Sequence, residues 1–567
     1  MSSDDLFCAN GINGSTGEYG VPPLTKEALT DAIIYEDTPD NLAELKQRYE
    51  NSVLMAQILK DRLATLELQR EQIMDEGQLE AINKEISKIV SALDPHKHLG
   101  TVEGVNQNNI QEAGWGVIFS EKANPGIKEA VSELLKLRQQ QAGKYFRVFE
   151  GDDGYRAGDN YLNFLTRHGT GPGPVDPKKG VPYYLLIVGG PNEIPYSFQY
   201  QLDVQYAVGR IDFGDNLQDY ANYARNVVAA ETGQVKLARR GAFFGAANPD
   251  DRATQTSYHN LIVPLYKKFS GDKKDWQFDL LAQDGAYKSD LETLLKGDNA
   301  PALLFTATHG MEFAIDDTRQ LAHQGALLCQ DWEGPIDHVG PVKQDFYFSG
   351  EDLDNSVNLL GLITFHFACY GAGTPQFDDF ARLKKERKLI AEKPFLANLP
   401  RQLLRHGALA AVGHVERAWG YSFFWPGSGE QLAVFESTIE RLLNQMPLGS
   451  AIEYFNERYA EIATILNEEL DLVDAGKRPD ALPGLWTANH DARNYIVVGD
   501  PAVRLPVAET DETASSRPEL EAVKVEITVP MVETAPAKPF DEISDEDWQN
   551  TPQSVRELLW QLKGQLK

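Results

Sequence analysis

Short, continuously apolar segments recur through the middle of the chain. Residues 302–310 and 359–371 are two such runs, rich in β-branched and aromatic residues and bounded by breakers. Runs of this length predict strands buried on both faces of a parallel sheet. Further strands are predicted at residues 115–120, 146–149, 183–188, 241–246 and 278–282, alternating with helices at residues 127–138, 217–230, 258–269 and 291–295. This alternation predicts an α/β fold with a mostly parallel sheet flanked by helices.

Each of the first two runs ends in a reactive side chain. His309 follows one predicted strand, and Cys369 follows the other. Open α/β folds bind their ligands outside the carboxyl ends of the strands, so both residues are expected at that edge. A nearby imidazole takes the proton of a thiol and leaves a strong nucleophile. The N–H groups of Gly310 and Cys369 are then candidates for an oxyanion hole.

The alternative for this pair is an inert core cysteine beside an unrelated histidine. Two other His-Gly pairs in the chain, His168-Gly169 and His406-Gly407, help to separate the cases. Both follow helical patterns, so their glycines read as helix C-caps. Of the three pairs, the one at His309 follows a predicted strand.

A strand ending in His-Gly, followed 60 residues later by a strand ending in Ala-Cys, resembles the caspase-type (clan CD) cysteine proteases. The details are similar to the gingipain branch, and motifs in family order support the likeness. These motifs lie at residues 183–195, 206–211, 408–413 with Trp419, and 495–501. The resemblance spans residues 181–506 and implies a caspase/gingipain-like fold of two α/β subdomains with a catalytic dyad of His309 and Cys369.

The same resemblance suggests the substrate pocket. It implies that Trp419 walls the S1 pocket, and it matches the neutral Gln255 to the acidic selector of the gingipains. Asp250, Asp251 and Glu416 are the acidic residues expected to border the pocket instead. We therefore predict a basic P1 residue, while Arg252 or Arg417 would select an acidic one.

The gingipain carboxylate that orients the histidine has no clear match in this sequence. Asn248 stands at that position. We therefore expect a backbone carbonyl to orient His309.

The composition of the chain limits the classes of partner that it can bind. The chain has 567 residues, a hydrophobic content of 42% and a formal net charge of −30. Such an acidic surface argues against nucleic acid and anionic membranes as partners. The three cysteines, Cys8, Cys329 and Cys369, cannot build a disulfide framework, and none has metal-ligand spacing with another. The sequence predicts no cofactor and no metal site, with a structural calcium ion as the one exception left open.

The start of the sequence is acidic and lacks an apolar segment, and no run is long enough to span a bilayer. We therefore expect a cytoplasmic protein, in contrast to the secreted gingipains. An intracellular protease needs control by a partner or by self-cleavage. The basic run at residues 382–388 is either a solvated surface segment or a cleavable activation site.

Four regions are predicted. Residues 1–100 hold an irregular lead-in to about residue 37 and a helical hairpin, residues 101–235 the first α/β subdomain, residues 236–506 the caspase-like catalytic subdomain, and residues 507–567 an acidic linker and a C-terminal helix. The hairpin has apolar residues at coiled-coil spacing between residues 42 and 93, and either packs on the body or binds a regulatory protein. The tail docks on its own chain or on another protein.

These features predict a cysteine endopeptidase acting on a protein or peptide substrate. The main alternative is a catalytically silent caspase-like adaptor that acts through its hairpin and tail. A third hypothesis is acyl transfer or hydrolysis on a non-peptide group, which the same dyad supports.

Overall fold

The structure is a computed structural model, and it describes residues 7–21, 23–26, 28–30, 100–296, 300–378, 380, 388–425, 429–474, 476–477, 479–520 and 555. The chain divides into two compact units, Met1–Val523 and Lys524–Lys567. The predicted helical hairpin, most of the basic run and the predicted C-terminal helix lie outside the described residues, apart from Val555.

Ten strands form the main sheet of the first unit. In chain order they are β1 (Trp115–Phe119), β2 (Phe146–Phe149), β3 (Tyr184–Val188), β4 (Ala207–Ile211), β5 (Arg240–Gly245), β6 (Gln277–Ala282), β7 (Leu303–Ala307), β8 (Ile363–Phe367), β9 (Ala410–His414) and β10 (Tyr495–Gly499). Their order across the sheet is β2-β1-β3-β4-β10-β9-β8-β7-β5-β6. Every residue of β7 and β8 is buried, as expected for parallel strands covered on both faces.

Neighbouring strands of this sheet run parallel, except for one pair. β10 pairs parallel with β4 on one side and antiparallel with β9 on the other. β10 therefore joins the strands β1–β4 of the first predicted subdomain to the strands β5–β9 of the second. The subdomain boundaries themselves stay a prediction.

Helices flank the sheet. Their bounds are Ile110–Ala113, Pro125–Ala130, Ser132–Ala142, Tyr161–Arg167, Tyr196–Asp203, Leu217–Glu231, Arg252–Ser257, Val263–Asp272, Lys288–Lys296, Gln320–His323, Asn398–Arg405, Ala433–Leu443, Leu448–Ala451, Glu453–Asp474 and Leu482–Arg493, with a π-helix at Tyr258–Ile262. Leu217–Glu231 shows why they form: Asn216 caps its first turn, and Tyr220, Tyr223 and Val227 face the core. The predicted α/β fold, with a mostly parallel sheet flanked by helices, is confirmed.

A second, four-stranded sheet lies beside the histidine strand. Its strands are Gly11–Asn13, Gly310–Glu312, Leu327–Leu328 and Tyr347–Phe348, in that order. One expectation from the sequence is wrong here, because residues 11–13 form a strand within the predicted irregular lead-in. Strands of two or three residues carry too little periodicity to be recognised in a sequence.

The ion pair between Arg138 and Asp500 ties the last strand to a flanking helix. Arg138 Nε donates to Asp500 Oδ2 at 2.8 Å, and both side chains are fully buried. The Trp115 indole N–H donates to the other carboxylate oxygen at 3.0 Å. Buried charges need this degree of pairing.

Candidate active site

The histidine and cysteine strands are neighbours in the main sheet. β7 and β8 pair in parallel, and their register ends with Phe367 opposite Ala307. His309 and Cys369 each lie two residues beyond that pair, so both leave the same edge of the sheet together. A methyl group added to the Gly310 Cα would overlap the Cys369 backbone, which shows how closely the two segments approach. The structure thus brings His309, Gly310 and Cys369 into one place.

The His309 side chain is fully buried and held at one nitrogen. Its Nε2 lies 2.8 Å from Asp251 Oδ2. Its Nδ1 has no hydrogen-bond partner among the described residues. A carboxylate on one ring nitrogen fixes the tautomer and leaves the other nitrogen to exchange protons.

Asp251 is itself firmly positioned. It caps the helix Arg252–Ser257 and accepts hydrogen bonds from the Thr254 N–H at 3.2 Å and from the Thr254 hydroxyl. The Tyr19 hydroxyl donates to its other oxygen at 2.6 Å. Burial alone would raise the pKa of Asp251, but His309 and these hydrogen bonds outweigh it and lower the pKa to about 2. Asp251 is therefore ionised beside the imidazole.

The expectation that a backbone carbonyl orients His309 is wrong, because the carboxylate of Asp251 does so. Asn248 plays a different part, since its amide donates to the carbonyl oxygens of Cys329 and Trp332, each at 3.0 Å. Asp251 lies three residues further along the same loop. It was predicted to border the substrate pocket, and the structure instead buries it against the histidine.

Cys369 is 1% exposed, and the Ala418 N–H donates to its Sγ at 3.2 Å. Burial raises the pKa of the Cys369 thiol, so the sulfur is protonated in this closed arrangement. The next residue, Tyr370, has φ 58°, a left-handed conformation that costs a side-chain-bearing residue on the order of 1–3 kcal/mol. Its N–H donates to the Glu416 carbonyl at 2.6 Å, and this sharp turn ends the strand at the thiol.

Two amides converge on one oxygen beside the thiol. The N–H groups of Gly310 and Cys369 both donate to the carbonyl oxygen of Asn10, at 2.9 and 3.1 Å. These are the two amides that the sequence suggested as an oxyanion hole. Paired N–H groups at this spacing stabilise negative charge on a carbonyl oxygen.

Trp419 lies next to the thiol, on the segment that follows β9. It is 1% exposed and stacks on Phe380 with 5.3 Å between ring centroids. Its backbone N–H donates to Asp491 Oδ1 at 2.8 Å, which fixes the segment. The residue before it, Ala418, contacts the Cys369 sulfur.

The acidic candidates for the substrate pocket lie in different settings. Glu416 is buried, which raises its pKa to about 7, and its carboxylate contacts Arg417 at 2.7 Å. Arg417 also pairs with Asp378 at 3.0 Å. Asp250 is exposed, with φ 53°. Of the three predicted acids, Asp250 is the one open to solvent.

Sequence reasoning missed two contributors to the site, Asn10 and Tyr19, and gave a third, Asp251, a different role. Asp251 had a usable signal, because it follows the carboxyl end of β5, which neighbours the histidine strand β7, and precedes a helix start. Asn10 and Tyr19 had no local signal. They reach the site through contacts across more than 200 residues of chain.

No group of three or more His, Cys, Asp or Glu side chains within the described ranges is arranged to hold a metal ion. A structural calcium ion stays a prediction. Among the helices that the structure describes, none has the length and apolar character needed to cross a membrane.

No family model and no curated protein matches this sequence. Among solved structures, the chain is similar to one described as a protease, at 13% identity over 69% of this chain and 78% of that one, with a TM-score of 0.40. It is similar to the complex of Porphyromonas gingivalis RgpB pro- and mature domains, at 13% identity over 69% and 79%, with a TM-score of 0.37. It is also similar to the Saccharomyces cerevisiae separase–securin complex, at 9% identity over 78% of this chain and 27% of that one, with a TM-score of 0.28. These are distant likenesses, so the functional case comes from the site itself.

Proposed function

We propose that the chain is a cysteine endopeptidase of the caspase and gingipain type, with Cys369 as nucleophile and His309 as its proton acceptor. The observation that carries this proposal is the convergence of the Gly310 and Cys369 amides on a peptide carbonyl beside the thiol. The ionised Asp251 behind His309 supports it, because a carboxylate there stabilises the imidazolium that forms during acyl transfer.

The proposed reaction has two stages. The Cys369 thiol gives its proton to His309, and the sulfur bonds to the peptide carbonyl carbon, whose oxygen takes the negative charge between the two amides. The intermediate then breaks the C–N bond, and the leaving amine takes the proton from His309. Water gives a proton to His309 and attacks the thioester, and the C–S bond breaks. The Cys369 thiolate takes that proton back from His309, and the acyl product leaves as a carboxylic acid that ionises to a carboxylate.

Substrate preference and regulation stay predictions. A basic P1 residue needs an acidic side chain open to the substrate, and Asp250 is the exposed candidate. Peptides with arginine or lysine at P1 test this directly. Binding of a regulatory protein to the hairpin or to the tail concerns residues outside those described, as does cleavage within the basic run.

The deciding experiment is a peptide-library cleavage profile on the purified full chain, with Cys369→Ala and His309→Ala variants. Both should reduce cleavage by about 10³-fold or more, because nucleophile and base act as one unit. Cys329→Ala is the matched control: its thiol is fully buried in an apolar cluster and donates to the Leu327 carbonyl at 3.4 Å, so cleavage should persist.

Unchanged cleavage by Cys369→Ala would refute the assignment. A wild-type chain that cleaves no peptide and no bond of its own would favour the adaptor hypothesis. Thioester or ester hydrolysis without peptide cleavage would favour the third, non-peptide hypothesis.

A further inference from the structure

The N-terminal segment of this chain lies across the thiol in the manner of a bound peptide. On one side of Asn10, Ala9 forms an antiparallel bridge with Trp419. The Asn10 N–H donates to the Ala418 carbonyl at 2.9 Å. This is strand addition, the way in which extended peptides bind to open backbone edges.

On the other side, the segment continues as the strand Gly11–Asn13. It pairs parallel with Gly310–Glu312, with Gly11 opposite Gly310. Ile12 is fully buried in an apolar cluster with Met311 and Trp332. The backbone is thus held on both sides of the Asn10–Gly11 peptide bond.

The Asn10–Gly11 bond itself lies at the reacting groups. The Asn10 carbonyl oxygen accepts from the Gly310 and Cys369 amides, as described above. A methyl group built on the Gly11 Cα would lie 3.1 Å from Cys369 Sγ, so Gly11 packs directly against the sulfur. The peptide carbonyl between these two residues therefore occupies the position of a scissile bond.

The side chain in the S1 position is a neutral amide. Asn10 is 2% exposed, and its Nδ2 donates to the Thr308 carbonyl at 3.5 Å. Of the three acids predicted to recognise a cation, Asp251 binds His309, Glu416 binds Arg417, and Asp250 is exposed to solvent. The pocket therefore holds asparagine in a buried setting.

Building on the proposed peptidase function, we propose that this chain cleaves its own Asn10–Gly11 bond and that S1 prefers asparagine. Cys369 bonds to the Asn10 carbonyl carbon, the bond to the Gly11 nitrogen breaks, and that nitrogen takes the proton held by His309. Water then frees an Asn10 carboxylate and restores the thiol. Gly11 becomes a new amino terminus, and the strand pairing and Ile12 keep it in place.

Cleavage also opens the site. Before it, the segment up to Asn10 fills the oxyanion hole and buries the thiol, so no other peptide can enter. After it, that segment keeps a few backbone contacts of its own, among them the pairing of Phe7 with Leu24, and can exchange with substrate. Self-cleavage is therefore the step that frees the oxyanion hole and the S1 position for another chain.

The test is intact mass and N-terminal sequencing of the full chain during incubation, for wild type, Cys369→Ala and Asn10→Gln. Wild type should acquire Gly11 as its amino terminus, and Cys369→Ala should keep the bond. Asn10→Gln adds one methylene to a closed pocket and should slow the cut by about 10- to 200-fold. Asn10 lies outside the ten-stranded main sheet, so this variant should keep that sheet.

The sequence supplies its own control, because Asn13-Gly14 is a second Asn-Gly pair three residues away. Spontaneous breakdown at asparagine would affect both bonds and would not need Cys369. Asn13→Gln should leave cleavage after Asn10 unchanged. Breakage at both bonds, or in Cys369→Ala, would overturn the proposal.

A second experiment tests the asparagine preference separately from the peptidase function on which it rests. Fluorogenic peptides ending in Ala-Asn, Ala-Arg or Ala-Asp are offered to the incubated wild-type chain, and the Ala-Asn peptide should be cleaved fastest. Cleavage after arginine with an intact Asn10–Gly11 bond would overturn the asparagine proposal and leave the peptidase standing. Cleavage of none of these peptides, with the bond intact, would overturn both.

Discussion

Replacing Asp251 by asparagine should remove charge from the site with little change in shape. The amide can keep its carbonyl oxygen toward Thr254 and His309 and turn its NH2 group toward the Tyr19 hydroxyl, which accepts as well as donates. The hydrogen bonds therefore survive in number. The negative charge beside the imidazolium does not.

The size of the effect follows from the pKa of Asp251. Its reduction from 3.8 to about 2 corresponds to about 2 kcal/mol of net stabilisation of the ionised form. If the transition state loses this stabilisation, kcat/KM decreases by roughly 30-fold. Loss of the correct tautomer would deepen the decrease toward about 10⁴-fold, the value seen for the equivalent change in a serine protease triad.

The assay is kcat/KM on the best library peptide, with denaturant unfolding in parallel. Because the folded-state pKa is lowered, Asp251 contributes stability above its ordinary pKa near 3.8, and that contribution is lost as the pH falls toward 2. Wild type should thus exceed Asp251→Asn in unfolding free energy at pH 7, and the two should converge in acid.

The matched control is Asp275→Asn. Asp275 also pairs with a cation at 2.8 Å, Arg239, but its side chain is 38% exposed and precedes β6, at the opposite end of the strands from the site. An exposed pair of this kind contributes at most about 1 kcal/mol. A kcat/KM of Asp251→Asn within threefold of the control would refute the role given to Asp251.

Three further changes test other parts of the structure. Gly310→Ala keeps the backbone N–H, but its methyl group would overlap the Cys369 backbone and push that donor out of the oxyanion hole, so kcat should fall by about 10²- to 10³-fold; wild-type kinetics would contradict this. Burial lowers the pKa of His366 from 6.5 to about 4, so wild type loses up to about 3 kcal/mol of unfolding free energy as the pH falls between those values. His366→Gln should remove this loss, and equal slopes of unfolding free energy against pH for the two proteins would refute the prediction. Asp500→Ala removes the closer of the two carboxylates paired with the buried Arg138 and leaves Glu231 at 3.2 Å, so it should lower the free energy of unfolding by about 3 kcal/mol, the lower end for a broken buried pair; a loss under 1 kcal/mol would argue against the pair.

The main sheet could be predicted because its strands are buried on both faces and are therefore apolar throughout. Residues 146–149 match a strand in both bounds, and the predictions at residues 115–120, 183–188, 241–246 and 278–282 agree with their strands to within one residue at each end. The runs at residues 302–310 and 359–371 contain β7 and β8 but extend several residues beyond them. The other two His-Gly pairs were also correctly predicted to end helices. His168 and His406 are the C-cap residues of their helices, and Gly169 and Gly407 follow with positive φ.

The remainder of the site could not be predicted, because it depends on pairing between distant segments. Gly11–Asn13 is a strand only by virtue of Gly310–Glu312, about 300 residues away, and its own residues have weak strand propensity. The acid that orients His309 was hard to predict for the same reason. Asp250 and Asp251 are adjacent in sequence, and the helix that begins at Arg252 decides which of them faces His309.

The position of β10 sets the order in which this protein can be assembled. It is the last strand of the main sheet in the chain, yet it lies in the middle, between β4 and β9. A growing polypeptide therefore carries two half-sheets with open inner edges until residues 495–499 leave the ribosome. Chaperones that shield unpaired strand edges should bind the nascent chain until then. The main sheet around Cys369 is complete only after translation has continued for more than 120 residues beyond it.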